Sequence, residues 1–433
     1  MNEILQILLS FILFFLIITV PLNIFNTKKI ASNKSFSLDV ASFNLIINCN
    51  ILLLISILPI SLGIYNSLFI FSYLIIFIYI YFIRNFKFNL FRSSAQPISI
   101  FFIIFFIISI NVAVELNLGW DAKFFYYIKA LFFVENQHLG DLTKFAHNSW
   151  HPHLGSFFWA FFWNLMPIKL EYFGRLFYIF LFCFSIFYIC HNNFKNTFIE
   201  NVIFILIIII FYTYERFSGL PEILIFSFLV ITSKYFSLLK NSNNTRYILF
   251  ILLACNLIIW LKSEGIVYAT ILVLLLNLSS QVSNKIKIYS SVFYISMLVL
   301  KIIIYKYFNF TLKAHPFFLD YILNLNFDII LYKLKFILPF FFYYSFINVF
   351  FISGLIILLV LNFQRKINSY VKLLNYYFIF NIIYILCTYF LIDAEIEFVV
   401  RTTMERLIFT SSGFYVFLIV TFVKNLNKNL IKG

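Results

Sequence analysis

Apolar runs of roughly 16 to 25 residues, separated by short polar breaks, recur from one end of the chain to the other. The bilayer core is about 30 Å thick, and only a helix or a closed barrel satisfies its own backbone inside it, so each such run reads as a membrane-spanning helix. Taken between the breaks, the runs predict spans near 4–26, 42–63, 67–84, 98–116, 175–190, 199–213, 218–238, 246–261, 264–279, 288–305, 336–361, 374–392 and 406–423. The expected fold class is therefore all-α, a polytopic transmembrane bundle of about thirteen spans. The first run, Ile4 to Phe25, is too long for a signal-peptide core and lacks a small-residue cleavage site, so it is read as a retained span. A further stretch, Leu154 to Ile168, is short, aromatic and bounded by Pro152 and Pro167.

Charge supplies the orientation. Lys and Arg gather in alternate loops, at Lys28, Lys29 and Lys34, at Arg84, Lys87 and Arg92, at Lys195, at Lys240 and Arg246, at Lys285 and Lys287, at Arg365, Lys366 and Lys372, and in the tail at Lys424, Lys428 and Lys432. The positive-inside rule makes these loops cytoplasmic, with the N-terminus outside and the C-terminus inside. The alternation holds only if 154–168 does not cross, which predicts an interfacial or re-entrant helix in the first large outer loop. The outer segments 117–174 and 306–335 are rich in aromatic residues and are expected on the bilayer surface. A three-span region, 1–97, precedes a single integrated region, 98–433.

Composition closes off other classes. Of the 433 residues 63% are hydrophobic and 11% charged, against about 25% charged in soluble chains. The formal net charge of +15 would suggest nucleic acid in a soluble domain, but here it belongs to membrane insertion, and no nucleic-acid partner is expected. The cysteines Cys49, Cys183, Cys190, Cys255 and Cys387 all lie in apolar runs without a C-x-x-C pair. A multi-pass membrane protein follows, with its work expected at the outer face.

The acids point to that face. All except Asp39 and Glu200 fall on the outer side, an asymmetry that the insertion rule does not require of Asp and Glu. Several adjoin a base at a span boundary: Glu215-Arg216, Lys262-Ser263-Glu264 and Glu405-Arg406. Any one such pair is readily an interfacial anchor, but together they would ring a polar cavity suited to an anionic lipid head group. Asp121, beside Trp120, stands where the chain leaves the membrane, placed either to take a proton from an incoming hydroxyl or to cap the helix that follows. His147, His151 and His153 have a spacing that zinc could use, but no cysteine is near and Pro152 constrains them, so they read as hydrogen-bonding residues at the cavity rim. Trp120, Trp150 and Trp159 suit interfacial anchoring. No P-loop, G-x-G-x-x-G or G-x-S-x-G is present.

At these residues the chain resembles the GT-C glycosyltransferases, the polytopic enzymes that include protein O-mannosyltransferases and the lipid A aminoarabinose transferase. The likeness runs over about 100–425: Trp120-Asp121-Ala122, Lys129-Ala130, the HPH at 151–153, Glu171 to Arg175 opening a span, SGLPEILIFSF at 218–228, LKSEG at 261–265 and TTMERLIF at 402–409. It departs in offering a single Asp121 where several families pair two acids, and in having Glu222, Ser263 and Glu405 where Asp, Asn and Asp are usual. The resemblance implies a sugar transferred, with inversion, from a polyprenyl-phosphate donor to an acceptor hydroxyl of a lipid, glycan or protein, with membrane lipids as surroundings. In that scheme Asp121 is the general base. Lys262, Arg216, Arg401 and Arg406 face the phosphate, and Glu222, Glu264, His151, His153 and Trp120 orient substrate. No cofactor is implied, and a divalent metal is the open alternative. The rival readings are a polytopic transporter and a lipid-linked glycan flippase or polymerase. A transporter would carry ionisable residues in mid-span, whereas Lys234 and Lys301 stand close to span ends where they can snorkel.

Overall fold

The computed structural model describes residues 2–19, 38–58, 60–78, 95–145, 151–191, 198–212, 217–239, 245–310, 327–365, 367–391 and 395–430, and among them there is no strand. The helices divide into two compact units, Met1–Ser227 with Trp260–Ser263, and Phe228–Ile259 with Glu264–Gly433. The division falls near 227. Helices of the first three runs are built into the same unit as those that follow them.

The first unit holds α1 (Asn2–Thr19), α2 (Leu38–Ile57), α3 (Leu62–Ile78), α4 (Ala95–Glu115), a π-helical turn (Ala122–Tyr127) running into α5 (Ile128–Val134), α6 (Leu154–Leu165), α7 (Tyr172–Cys190), α8 (Phe198–Phe211) and the start of α9 (Glu222–Leu238). Helix α7 is its axis, with every residue from Tyr172 to Cys190 buried. An apolar helix with no exposed face must be surrounded by others, and α1, α2, α4, α6 and α8 do so. Phenylalanine rings fill the gaps: Phe162 stacks on Phe177 with centroids 4.3 Å apart, and Phe14 meets Phe162 edge-on at 5.1 Å. Polar residues inside this core serve helix ends. The amides of Asn44 and Asn48 donate to the carbonyls of Ile18 and Ile17 at 2.9 and 2.8 Å, satisfying groups that α1 cannot pair within itself.

Helix α6 has 12 residues, a rise of about 18 Å, too short to cross a 30 Å core. It is not spread on a surface either: Leu154 to Trp163 are all buried. Buried protein is where a non-spanning segment can sit at membrane depth, so the expectation of surface-lying helices is corrected for this part of 117–174.

The second unit comprises the rest of α9, then α10 (Thr245–Leu261), α11 (Gly265–Leu278), α12 (Asn284–Tyr307), α13 (Phe327–Ile347), α14 (Val349–Phe363), α15 (Ser369–Leu391) and α16 (Ile396–Leu430). The run expected as one span at 336–361 is two helices. The chain breaks at Asn348, whose backbone is extended (φ −76°, ψ 97°) and whose side chain accepts the Phe351 N–H. Asparagine suits that role because its short amide competes for backbone groups, as at other helix N-caps. Helices α14, α15 and α16 pack along one another. Tyr377 stacks on Phe414 at 4.2 Å and donates to the Ser411 carbonyl, and Asn362 and Asn375 exchange amide hydrogen bonds of 2.9 Å.

Seven helices among the described residues are long and apolar enough to cross a membrane: Leu38–Ile57, Gln96–Glu115, Tyr172–Cys190, Asn284–Tyr307, Phe327–Ile347, Ser369–Leu391 and Ile396–Leu426. Six more apolar helices are shorter, such as Gly265–Leu278 and Val349–Phe363. The molecule is a membrane protein by these helices, and its exposed apolar stripes, as on α12 at Ile288, Val292, Ile295 and Ile302, are surfaces for lipid. Lys234 and Lys301 do not snorkel, being 8% and 6% exposed. Lys301 donates to the Ile259 carbonyl at 2.7 Å, near the end of α10. Lys333 does the same for α15, donating to the carbonyl of Phe390 at 2.9 Å. A cation is favoured at a helix C-terminus, where unpaired carbonyls collect.

Candidate functional site

In the first unit, three of the sequence segments singled out above are joined by hydrogen bonds. The strand of chain leaving α4 and the loop entering α9 lie side by side, Gly119 N–H donating to the Ser218 carbonyl at 3.1 Å. Gly219 turns that loop with φ +92°, and a Cβ there would come within 2.6 Å of the Trp159 ring, so the close approach as well as the dihedral calls for glycine. Beneath both loops Arg175 is completely buried. It holds Glu171 in a two-pronged pair, Nε to Oε1 at 2.8 Å and Nη2 to Oε2 at 3.1 Å, while Nη1 donates to the carbonyls of Asn117 at 3.0 Å and Phe217 at 3.4 Å. The guanidinium lies 5.9 Å from the Trp159 ring centre, and the Trp159 indole donates to the Glu171 carbonyl at 3.2 Å. Burial raises the Glu171 carboxyl above the usual range, and Arg175 opposes that shift.

Asp121 follows directly on the segment so fixed. It is half-buried and already helical (φ −61°, ψ −36°), and its carboxylate makes no capping hydrogen bond to the π-helical turn after it. The helix-cap explanation for this residue therefore fails. Trp120 beside it is 68% exposed and packs against Phe124 at 4.9 Å. From the neighbouring loop, Glu222 opens α9 and receives the Lys262 ammonium at 3.0 Å, with side-chain exposures of 6% and 16%. Tyr178, whose hydroxyl donates to the Gly155 carbonyl at 2.8 Å, lies within electrostatic reach of Tyr126, Glu222 and Arg175.

The histidines are structural neighbours of this assembly. His153 is 1% exposed, shares a 2.8 Å hydrogen bond between Nε2 and Ser56 Oγ, and meets Trp260 edge-on. It is core and not rim. His151 is half-buried against Phe125, and its carbonyl accepts the buried Lys129 ammonium at 2.7 Å. With no carboxylate partner shown, burial lowers the Lys129 pKa to about 7. Among the described residues no three His, Cys, Asp or Glu side chains gather as metal ligands. His147, Trp150, Glu215 and the phosphate candidate Arg216 lie outside the described residues.

The remaining candidates belong to the second unit. Glu264 is the residue before α11 and lies within electrostatic reach of Tyr268, whose hydroxyl donates to the Leu407 carbonyl at 3.1 Å. Arg406, half-buried, precedes Leu407 on α16. Arg401 is exposed, 3.8 Å from Glu397, and its guanidinium lies over the Phe340 ring. The turn joining α10 to α11 is tight enough that a Cβ on Gly265 would stand 1.9 Å from the Ile258 carbonyl oxygen, which accounts for the glycine closing LKSEG.

Sequence reasoning did not assign Arg175, although a signal existed. An arginine inside an apolar run, four residues after a glutamate, is costly unless paired, and that spacing puts the two on one helix face. Ser218 and Gly219 stood only within the motif at 218–228, with nothing in the sequence to say that they fix a loop. No family model, curated protein or solved structure matches the chain.

Proposed function

We propose that the protein is a GT-C-like membrane glycosyltransferase that moves a sugar from a polyprenyl-phosphate donor to an acceptor hydroxyl, at the face of the membrane opposite the basic loops. The observation that carries this reading is the junction of the Asp121 segment with the Glu222–Lys262 pair, through the loop at 217–221 that Arg175 and Gly119 tie down. A carboxylate base for the acceptor hydroxyl and a cation for the departing phosphate are the two groups that inverting transfer requires. The acceptor oxygen attacks the anomeric carbon while Asp121 takes its proton. The bond from that carbon to the phosphate oxygen breaks, and polyprenyl phosphate departs with its charge met by Lys262, which Glu222 orients. Trp120 offers an exposed ring to the sugar. Arg175 has no exposed surface for substrate and is a positioning residue. The full topology proposed is N-terminus out and C-terminus in.

The reading is tested in proteoliposomes with a radiolabelled polyprenyl-phosphate sugar. Asp121→Asn should lower transfer by about 10²–10⁴-fold, the usual worth of a general base, with donor binding unchanged. Undiminished transfer by Asp121→Asn removes Asp121 from the mechanism, and no transfer by the unaltered chain across a panel of such donors removes the activity.

A further inference from the structure

Helices α10 and α12 run parallel. Their far ends are joined where Lys301 donates to the Ile259 carbonyl, and toward their N-termini they line an open groove of about 490 Å³. Its walls are apolar, built by Leu249 and Leu252 from α10 and by Tyr289 and Phe293 from α12. From Ile286 to Ser296 the groove follows α12 for about 15 Å, half the hydrocarbon thickness of a bilayer. That is the depth of one leaflet. Ser290 lines the groove, is 1% exposed, and its hydroxyl has no hydrogen-bond partner among the described residues, an arrangement that costs free energy unless something polar reaches it.

The mouth is basic. Arg246 stands in the first turn of α10, and Lys285 and Lys287 in the first turn of α12, all in a loop pattern read above as the positive side of the membrane. The exposed Lys285 ammonium lies 5.8 Å from the centre of the Tyr289 ring, a cation–π contact that places it beside a side chain lining the groove. We propose that this groove is a binding site for an anionic phospholipid, one acyl chain lying between α10 and α12, a polar atom of the lipid meeting Ser290, and the phosphate held by Arg246, Lys285 and Lys287. The site lies wholly in the second unit and does not depend on the glycosyltransferase reading.

The test is native mass spectrometry of the full chain in detergent, titrated with phosphatidylglycerol or phosphatidylcholine of identical acyl chains. Basic residues near an anionic lipid surface contribute about fivefold each. The tightest site should therefore prefer phosphatidylglycerol by tenfold or more, and the triple variant Arg246→Ala, Lys285→Ala, Lys287→Ala should lose at least tenfold in affinity and most of that preference. Ser296→Trp, which fills the groove and leaves the charges, should also lose tenfold, with thermal unfolding of both variants unchanged as the check on folding. Unaltered phosphatidylglycerol affinity in the triple variant overturns the proposal. So does unaltered affinity in Ser296→Trp, which would mean a head-group contact without a groove, or displacement of the lipid by millimolar inorganic phosphate, which would mean a site for free phosphate.

Discussion

Arg175 has none of its side chain exposed, yet its guanidinium meets a carboxylate, two loop carbonyls and an indole face. A planar fork that cannot lose its charge suits such a junction, whereas the single ammonium of lysine could not fill it. Arg175→Met leaves Glu171 charged and largely buried, so it should cost about 3 kcal/mol or more in unfolding free energy; a shift in the thermal midpoint no larger than that of an exposed substitution such as Lys144→Ala would contradict this role. Lys129 is a second residue of this kind with a different signature. Its ammonium is buried beneath the HPH segment, and its pKa falls to about 7 from 10.5. Because the unfolded chain holds this proton up to about pH 10 and the folded chain releases it near 7, unfolding binds a proton within that window, and stability rises as pH rises from 7 to 10. The penalty is fully present below pH 7. Lys129→Met should remove this slope, so the difference in unfolding free energy between variant and parent should shrink by up to about 4 kcal/mol across the window; parallel pH profiles would show that Lys129 does not change protonation there.

Between elements, contact is governed by where a side chain is missing. Gly174 on α7 faces the backbone of α6, and a Cβ there would stand 2.2 Å from the Trp159 carbonyl oxygen, while a Cβ on Gly155 of α6 would meet the Pro221 and Tyr178 side chains at 3.2 Å. Small residues let helix backbones meet closely in a membrane protein, where packing rather than water drives association. Gly174→Ala must push α6 and α7 apart and should cost about 3 kcal/mol. Gly155→Ala needs only a small adjustment of side chains and should cost less than about 1 kcal/mol, with part of that returned by better helix propensity. Equal losses of thermal stability in the two variants would refute the close α6–α7 approach as the cause. At the same scale, apolar periodicity located nearly every helix, because length and hydropathy alone mark a run that lipid or protein must cover. It missed the break at Asn348. A polar residue inside an apolar run reads equally well as a tolerated interior amide, which is what Asn381 is in α15, so only the backbone angles separate the two cases.

For the whole molecule, orientation and burial make different demands on 154–168. The alternation of basic loops requires only that this segment fail to cross, and the helix found is short enough to meet that requirement. Cysteine placed at the exposed positions Lys144 and Lys169, in a chain with its exposed native Cys387 changed to serine, should be labelled by a membrane-impermeant maleimide from one and the same side. Labelling from opposite sides would make α6 part of a crossing and reverse every later span. The seven long helices and the shorter apolar ones between them share this dependence, since each loop takes its side from the count before it.

What the amino-acid sequence determined by itself was the solvent and the rough list of helices: a chain this apolar, with its bases in alternate loops, has a membrane as its medium, and backbone hydrogen bonding then leaves helices as the way through. The pattern of charges at span ends also singled out Asp121 and Lys262, and the resemblance added Glu222. Which of these meet was decided by tertiary structure. The pairing of Glu222 with Lys262 joins residues 40 apart in sequence, and Arg175 reaches carbonyls 58 and 42 positions away. Contacts across such distances depend on how helices pack, and packing is set by glycine gaps and ring shapes that no single-chain periodicity encodes. The same reason moved His153 from the rim of a cavity to the core, where Ser56 of α2 meets it.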